Sequence, residues 1–203
     1  MRNDRGTDGG PRAADALRAS VLAKYAAVAR DPEGQFPYPV GRAGLEALGY
    51  RPEWIAALPP RALSRFAGIG NPLGVLAPAP GDRVLDAGCG AGADAAVAAS
   101  LVGRRGRVVG ADLSAAMLPP PGARASPASP SFVRAAIEAL PFRDGAFDFV
   151  LSNGALNLVT AKRDAWAELA RVLRPGGRLA LADVVLREDL PPEVAADPDA
   201  WSN

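Results

Sequence analysis

The sequence predicts an α/β fold: a Rossmann-like, mostly parallel sheet with helices on both faces, preceded by an N-terminal helical segment. Three observations carry this. From Arg83 onward short apolar runs alternate with helical stretches, which implies parallel pairing through crossovers. The run Val84-Leu85 leads into the turn Asp86-Ala-Gly-Cys-Gly-Ala-Gly92 and then the Ala-rich stretch Asp94–Leu101, the order strand, glycine turn, helix. Proline and glycine clusters separate the remaining segments.

Residues 1–12 read as a polar, flexible tail, and 13–80 as a helical cap. Within the cap, Leu17, Val21, Leu22, Tyr25 and Val28 recur at helical spacing, predicting a helix over Asp15–Arg30. Pro32, Pro37 and Pro39 predict an extended loop over Arg30–Val40. Arg42–Leu48 and Pro52–Leu58 are short helices, Pro52 and Glu53 suiting a first turn, and Phe66–Pro80 is a Gly/Pro loop. The main domain is assigned to 81–187. Its strands are Arg83–Asp86, Arg107–Asp112, Phe132–Arg134, Phe147–Ser152 and Arg178–Leu186; its helices are Asp94–Val102 and Lys162–Leu173. Trp166, Leu169, Val172 and Leu173 mark one side of the second helix, and Arg174-Pro175-Gly176-Gly177 ends it. Between the second and third strands, Ser114–Leu118 starts a helix that Pro119, Pro120, Pro121, Pro127 and Pro130 stop after one turn. Residues 188–203 read as an acidic, proline-bearing tail, with no antiparallel hairpin after the fifth strand.

Composition bounds the function. The 203 residues suffice for one domain with a core, and 22 glycines and 20 prolines stay below the share that marks a disordered chain. A net charge of +1 and scattered arginines give no footprint for nucleic acid or an anionic membrane. No apolar run is long enough for a membrane span, and the polar first twelve residues contain no signal core. A single cysteine excludes an internal disulfide and suits a reducing cytoplasm. With no histidine, any proton transfer near neutral pH must use another group. No cluster of residues reads as a metal site.

The glycine turn narrows the ligand. Gly88, Gly90 and Ala93 satisfy a bare dinucleotide pattern, so an NAD site is one reading. Asp86, two residues before Gly88, opposes it: a carboxylate at the strand's end suits a cation or hydroxyl and repels a pyrophosphate. Asp112 ends the second strand, where an acid accepts hydrogen bonds from ribose hydroxyls. A ribose, an adenine, an amino group and no phosphate satisfy both acids, and S-adenosyl-L-methionine has these parts.

At this point the residues resemble a family. Val84-Leu85-Asp86-Ala-Gly-Cys-Gly-Ala-Gly92 is similar to the first motif of class I methyltransferases, and Val109-Gly-Ala-Asp112 with Met117 to the second. Ile137-Glu-Ala-Leu-Pro-Phe142, Phe147-Asp-Phe-Val-Leu-Ser-Asn153 and Arg171-Val-Leu-Arg-Pro-Gly-Gly177 are similar to the later ones. Phe36-Pro-Tyr-Pro-Val-Gly-Arg42, Leu48-Gly-Tyr50, Phe66-Ala-Gly-Ile-Gly-Asn-Pro72, Ser152-Asn-Gly-Ala-Leu-Asn-Leu-Val159 and Ala182-Asp-Val-Val185 resemble bacterial arsenite methyltransferase-like proteins.

The resemblance implies an S-adenosylmethionine-dependent methyltransferase acting on a small molecule. Its cofactor-lining set would be Asp86, Gly88, Cys89, Gly90, Gly92, Asp94, Asp112, Leu113, Met117, Ile137, Glu138 and Asn153. Asp112 would hold the ribose, Leu113 and Met117 would pack on adenine, the Ile137 amide would meet the adenine edge, and Asn153 would lie near the reactive methyl. Met117 reads equally as core filling, and Asn153 also suits a turn or cap. Tyr25, Phe36 and Tyr38 are candidates for a lid, though ordinary aromatic packing accounts for them equally. The resemblance implies an acid where this chain has Ala136, and arsenic-binding cysteines where it has Ile69 and Gly154; Cys89 alone cannot chelate arsenite. No catalytic residue is assigned. A second reading is a cofactor-binding remnant without turnover; a third is an NAD-dependent oxidoreductase.

Overall fold

The computed structural model describes residues 11–120 and 129–185. Residues 1–10 of the proposed N-terminal tail, Pro121 and Pro127 of the proline stretch, Leu186 and the whole of the proposed tail 188–203 lie outside them.

Among the described residues, five helices precede the sheet: α1 (Pro11–Arg30), α2 (Gly41–Ala47), α3 (Pro52–Ala57), α4 (Pro60–Ser64) and α5 (Pro72–Val75). Helices α4 and α5 correct the sequence reading, which left 59–64 unassigned and Phe66–Pro80 as loop. Both begin on a proline, whose missing N–H is no loss in a first turn, and Asn71 caps α5 by accepting from the Gly74 N–H at 2.9 Å.

The sheet contains β1 (Arg83–Ala87), β2 (Arg107–Asp112), β3 (Ser131–Arg134), β4 (Phe147–Asn153) and β5 (Leu173–Ala182), in the order β3-β2-β1-β4-β5, and every pairing is parallel. Helix α6 (Ala93–Val102) follows β1 and α7 (Lys162–Val172) follows β4. Alternation along the strands splits the core. Val84, Phe149 and Leu151 pack towards α6 and the helical cap, whereas Leu85, Ala87 and Val150 pack towards α7. The same parity assigns Asp86 and Asn153 to the cap side, at the carboxyl ends of the two central strands.

Three sequence expectations are corrected here. Residues Ser114–Leu118 form a hydrogen-bonded turn, Met117 and Leu118 N–H both donating to the Ser114 carbonyl, and no helix. The fifth strand runs from Leu173 to Ala182, not from Arg178 to Leu186: Phe147 pairs with Leu173 and Phe149 with Arg178, so Arg174–Gly177 is a bulge rather than a cap. On α7 the buried stripe is Ala165, Leu169 and Val172, while Trp166 is 44% exposed. A helix places i, i+4 and i+7 on one face, and Trp166 falls beside it.

Arginine–carboxylate pairs tie the amino ends of the strands together. Asp148 accepts from the Arg83 backbone N–H and Nε at 2.8 Å each, from Arg83 Nη2 at 3.0 Å and from Arg174 Nε at 2.6 Å. The Arg83 guanidinium, followed by its backbone N–H and Arg174, holds the Asp148 carboxyl far below the usual carboxylate range. A depressed carboxyl stabilises the fold above its unfolded pKa, and that contribution is lost as pH falls through the folded value. We expect Asp148→Asn to lower stability at pH 7 by about 1–2 kcal/mol, the exposed guanidiniums limiting the effect. In urea melts the difference from wild type shrinks as pH falls below the usual carboxylate range.

Candidate functional site

At the carboxyl ends of β1, β2 and β4 the chain encloses a cleft of about 1080 Å³, open mouth included. Its walls come from α1 (Arg18, Leu22, Tyr25), the 65–68 loop, the glycine turn, the Asp112–Met117 turn, the 135–138 loop and the 153–160 segment. Of the twelve residues proposed from sequence, eleven line it; Gly92 does not. Gly92 precedes α6 at φ +85°, and a Cβ there would meet the Phe132 ring at 2.7 Å, so its role in the fold is a turn under an aromatic side chain.

Gly88 is where the backbone must stay bare. It has φ +79°, and an added Cβ would lie 2.2 Å from the Ala155 Cβ across the cleft. The neighbouring turn is held by the Ala111 carbonyl, which accepts from the Gly88 N–H at 2.8 Å and the Cys89 N–H at 3.1 Å.

Four carboxylates line this space: Glu138 is paired with Arg18, while the aspartates Asp86, Asp94 and Asp112 have no ion-pair partner among the described residues. Asp86 is 1% exposed, and its Oδ2 has no hydrogen-bond partner among the described residues. Burial pushes its carboxyl well above the ordinary range; the Asp94 and Asp112 charges add to this, and the Ala95 backbone N–H opposes it. Asp112 accepts from the Gly90 and Ser114 N–H groups at 2.8 Å each; burial raises its carboxyl and these bonds counteract it. Asp94, in the first turn of α6, accepts from Tyr50 Oη at 2.6 Å and from Asn153 Nδ2 at 3.0 Å. Burial raises its carboxyl too, against these two donors.

Asn153 is engaged on both sides. Its Oδ1 accepts from the Ile69 N–H at 3.0 Å and the Gly70 N–H at 3.1 Å. Its two amide protons are shared among Asp94, the Gly70 carbonyl at 2.8 Å and Tyr50 Oη at 3.2 Å. The side chain is thus a clamp between β4, α6 and the 66–70 loop, a role its position after a strand did not reveal. Cys89 is buried, and burial pushes its thiol well above the ordinary value, with Asp86 and Asp112 adding to the shift. It is a protonated packing group there.

On the adenine side of the proposed set, Met117 is 2% exposed and packs with Val28 of α1 and Ala91 of the glycine turn. The Ile137 side chain is buried beneath the cleft, and no backbone partner for its N–H appears among the described residues. Ala136 lines the cleft beside it, and Glu138 forms an ion pair with Arg18 of α1 across the mouth. Tyr25, on the same helix, has its ring 6.2 Å from that of Phe36, which stacks on Tyr38 at 5.0 Å. Burial raises the Tyr25 phenol, with Tyr38, Asp112 and Asp183 adding, so it remains neutral. At the opposite end Ile69 and Gly154 touch: a Cβ on Gly154 would lie 3.2 Å from Ile69 Cγ1. The sequence reading missed Tyr50 and Arg18 as cleft-defining residues. Tyr50 lay within a quoted stretch, but nothing in the sequence pairs it with Asp94, 44 positions away.

The sheet order and the glycine turn after β1 are those of a class I methyltransferase domain. Residues 85–181 match the family described as methyltransferase domain. The chain is 38% identical over 161 residues to an arsenite methyltransferase of Halobacterium salinarum, covering 78% of this chain and 41% of that protein. It is 36% identical over 162 residues to an arsenite methyltransferase of Aquipseudomonas alcaligenes, covering 72% and 46%. The crystal structure of an arsenic(III) S-adenosylmethionine methyltransferase from Chlamydomonas reinhardtii superimposes with a TM-score of 0.63 at 34% identity, covering 79% of this chain and 55% of that one. The chain therefore carries a methyltransferase domain close to those of the arsenite methyltransferases, and it spans less than half the length of the two curated relatives. No described helix is long and apolar enough to cross a membrane.

The contact between Gly88 and Ala155 yields a direct test. Gly88→Ala is expected to weaken S-adenosylmethionine binding at least tenfold and to lower stability by about 1–3 kcal/mol through overpacking and φ strain. Ala155→Gly in the same chain restores part of the lost affinity, read by calorimetry and thermal melts.

Proposed function

We propose that the chain binds S-adenosylmethionine in this cleft and transfers its methyl group to a small-molecule acceptor. The observation that carries the reading is Asp86, a buried carboxylate with an oxygen unpartnered among the described residues, facing a cleft that holds two further aspartates. Such a group is costly unless a cation meets it. An α-amino group meets that need, while a pyrophosphate would add to the repulsion. In this reading Asp86 takes the amino group, Asp112 accepts from the ribose hydroxyls with its remaining lone pairs, and Leu113 and Met117 pack against adenine. The Ile137 N–H supplies a donor at the adenine edge, and Glu138 with Arg18 lies at the mouth. When bound, the cofactor supplies an electrophilic methyl on a sulfonium, which needs no acid to activate it. The protein's part is to hold the partners in line and shut out water, an effect that can be worth about 7–11 kcal/mol.

The acceptor end does not favour arsenite. The two positions where the resemblance implies cysteines are adjacent, as a shared chelate would require, but they are Ile69 and Gly154. Trivalent arsenic needs several thiolates, and Cys89 is a buried, protonated thiol. The acceptor is therefore a small molecule of another kind, for which Leu158, Val159 and Thr160 provide a largely apolar wall.

Calorimetry tests the assignment. S-adenosylmethionine and S-adenosylhomocysteine should bind and NAD should not. Binding accompanied by label transfer to an acceptor supports the whole reading, binding without transfer leaves a cofactor-binding protein, and tight NAD binding overturns it. An arsenite assay with a thiol reductant should give little or no methylated arsenic.

Asp86→Asn should abolish measurable cofactor binding and yet raise the melting temperature of the ligand-free protein. A carboxyl raised on folding weakens the fold as pH climbs from the carboxylate range towards neutral, and asparagine removes that term. By the same sign, cofactor affinity of the wild type increases with pH as Asp86 becomes charged.

A further inference from the structure

We propose that Tyr50 is a positioning residue of the cofactor cleft, acting through Asp94: its hydroxyl fixes the Asp94 carboxylate in the cleft wall and makes that wall depend on docking of the helical cap. The inference rests on the cofactor reading above and adds a residue that does not itself line the cleft.

The geometry is specific. Tyr50 sits in the turn between α2 and α3, 4% exposed, with its ring edge-on to Phe66 at 5.4 Å and to Trp54 at 6.4 Å. A phenylalanine would satisfy this packing, so the hydroxyl needs a separate reason. The hydroxyl has one proton and two acceptors in reach, Asp94 Oδ1 at 2.6 Å and the Gly70 carbonyl at 3.2 Å. The shorter, charge-assisted bond to Asp94 takes it. Asp94 is 6% exposed and faces the cleft, and Tyr50 and Asn153 supply one donor to each of its oxygens.

The network joins four segments. Tyr50 belongs to the cap, Ile69 and Gly70 to the loop before β1, Asp94 to α6 and Asn153 to β4. Asp94 faces Asp86 from β1 and Tyr50 from the cap; Asp112 from β2 and Cys89 from the glycine turn act on Asp86, and Arg18, Arg65 and Glu138 line the same cleft. With no cation bonded to the three aspartates among the described residues, Tyr50 is the one donor from the cap that favours the ionised form of Asp94 and fixes its direction. Removing it leaves a buried carboxylate oxygen without its bond, and proton uptake by Asp94 becomes easier.

The test is a double-mutant cycle on the full chain, with Kd for S-adenosylhomocysteine measured by calorimetry from pH 5.5 to 8.5. Tyr50→Phe should raise Kd about tenfold at neutral pH and shift the pH below which affinity falls off upward by about one unit. In an Asp94→Asn background the same substitution should change Kd less than twofold, because the two residues act as one unit. A Tyr50→Phe variant that melts earlier but keeps the wild-type Kd at every pH overturns the proposal, as does an equal loss of affinity in both backgrounds. Asp94→Asn alone is the second arm should Tyr50→Phe not fold, since a wild-type Kd for it overturns the proposal by itself. Failure of the wild-type chain to bind the ligand at all overturns the cleft reading from which the proposal starts.

Discussion

Two buried carboxylates, Asp86 and Asp94, and the half-buried Asp112 share one cleft, and no cation among the described residues pairs with them. Asp86, Asp94 and Asp112 come from the ends of β1 and β2 and from the first turn of α6, the places where a parallel sheet and a helix amino terminus converge. Two are held by donors: Asp112 by the Gly90 and Ser114 amides, Asp94 by Tyr50 and Asn153. Asp86 is left short of one. Removing the last water from a carboxylate is worth several kcal/mol even after relaxation, so this arrangement weakens the ligand-free fold. Functional sites carry such unfavourable groups because the ligand's free energy offsets them on binding.

The rest of the molecule can be understood as support for that cleft. The strands that end in Asp86 and Asn153 are among the most buried in the chain, with Val84, Leu85, Phe149, Val150 and Leu151 all at 0% exposure. Their amino ends are tied by Asp148 with Arg83 and Arg174, and by Asp82 with Arg178, far from the acids. Lys162 donates to the Leu156, Asn157 and Val159 carbonyls, holding in shape a segment that forms one wall of the cleft. Ion pairs thus hold the amino ends of these strands, while at the other end Asp86, Asp94 and Asp112 have none among the described residues.

What the sequence revealed follows this division. The strands, the glycine turn and the acids Asp86 and Asp112 were legible because each depends on local pattern: alternation of apolar residues, a bend without Cβ atoms, and an acid at a strand's end. The fifth strand was misplaced because Pro175, Gly176 and Gly177 carry the local signal of a stop, while pairing of Leu173 with Phe147 overrides it. Trp166 was misassigned because hydrophobicity alone does not say which side of α7 meets the sheet. Asn153 lines the cleft, but its clamp could not be foreseen, since its partners Ile69, Gly70, Tyr50 and Asp94 are 59 to 103 positions away in sequence.

The same distance argument separates the two ends of the cleft. The end read as the cofactor's is built from strand-end and turn residues whose placement is set by the fold. The acceptor end is built from loops, where Ile69 rests on Gly154 and Leu158 and Val159 follow a short 3₁₀ turn at Leu156–Leu158. Loop positions change without disturbing the sheet. Where the resemblance implies two thiols, an isoleucine seated on a glycine offers a van der Waals contact in place of chelation, in a loop outside β1 and β4. A domain can therefore keep its carboxylate-lined half while its acceptor half turns apolar. Resemblance in the first half is accordingly weak evidence for the substrate of the second.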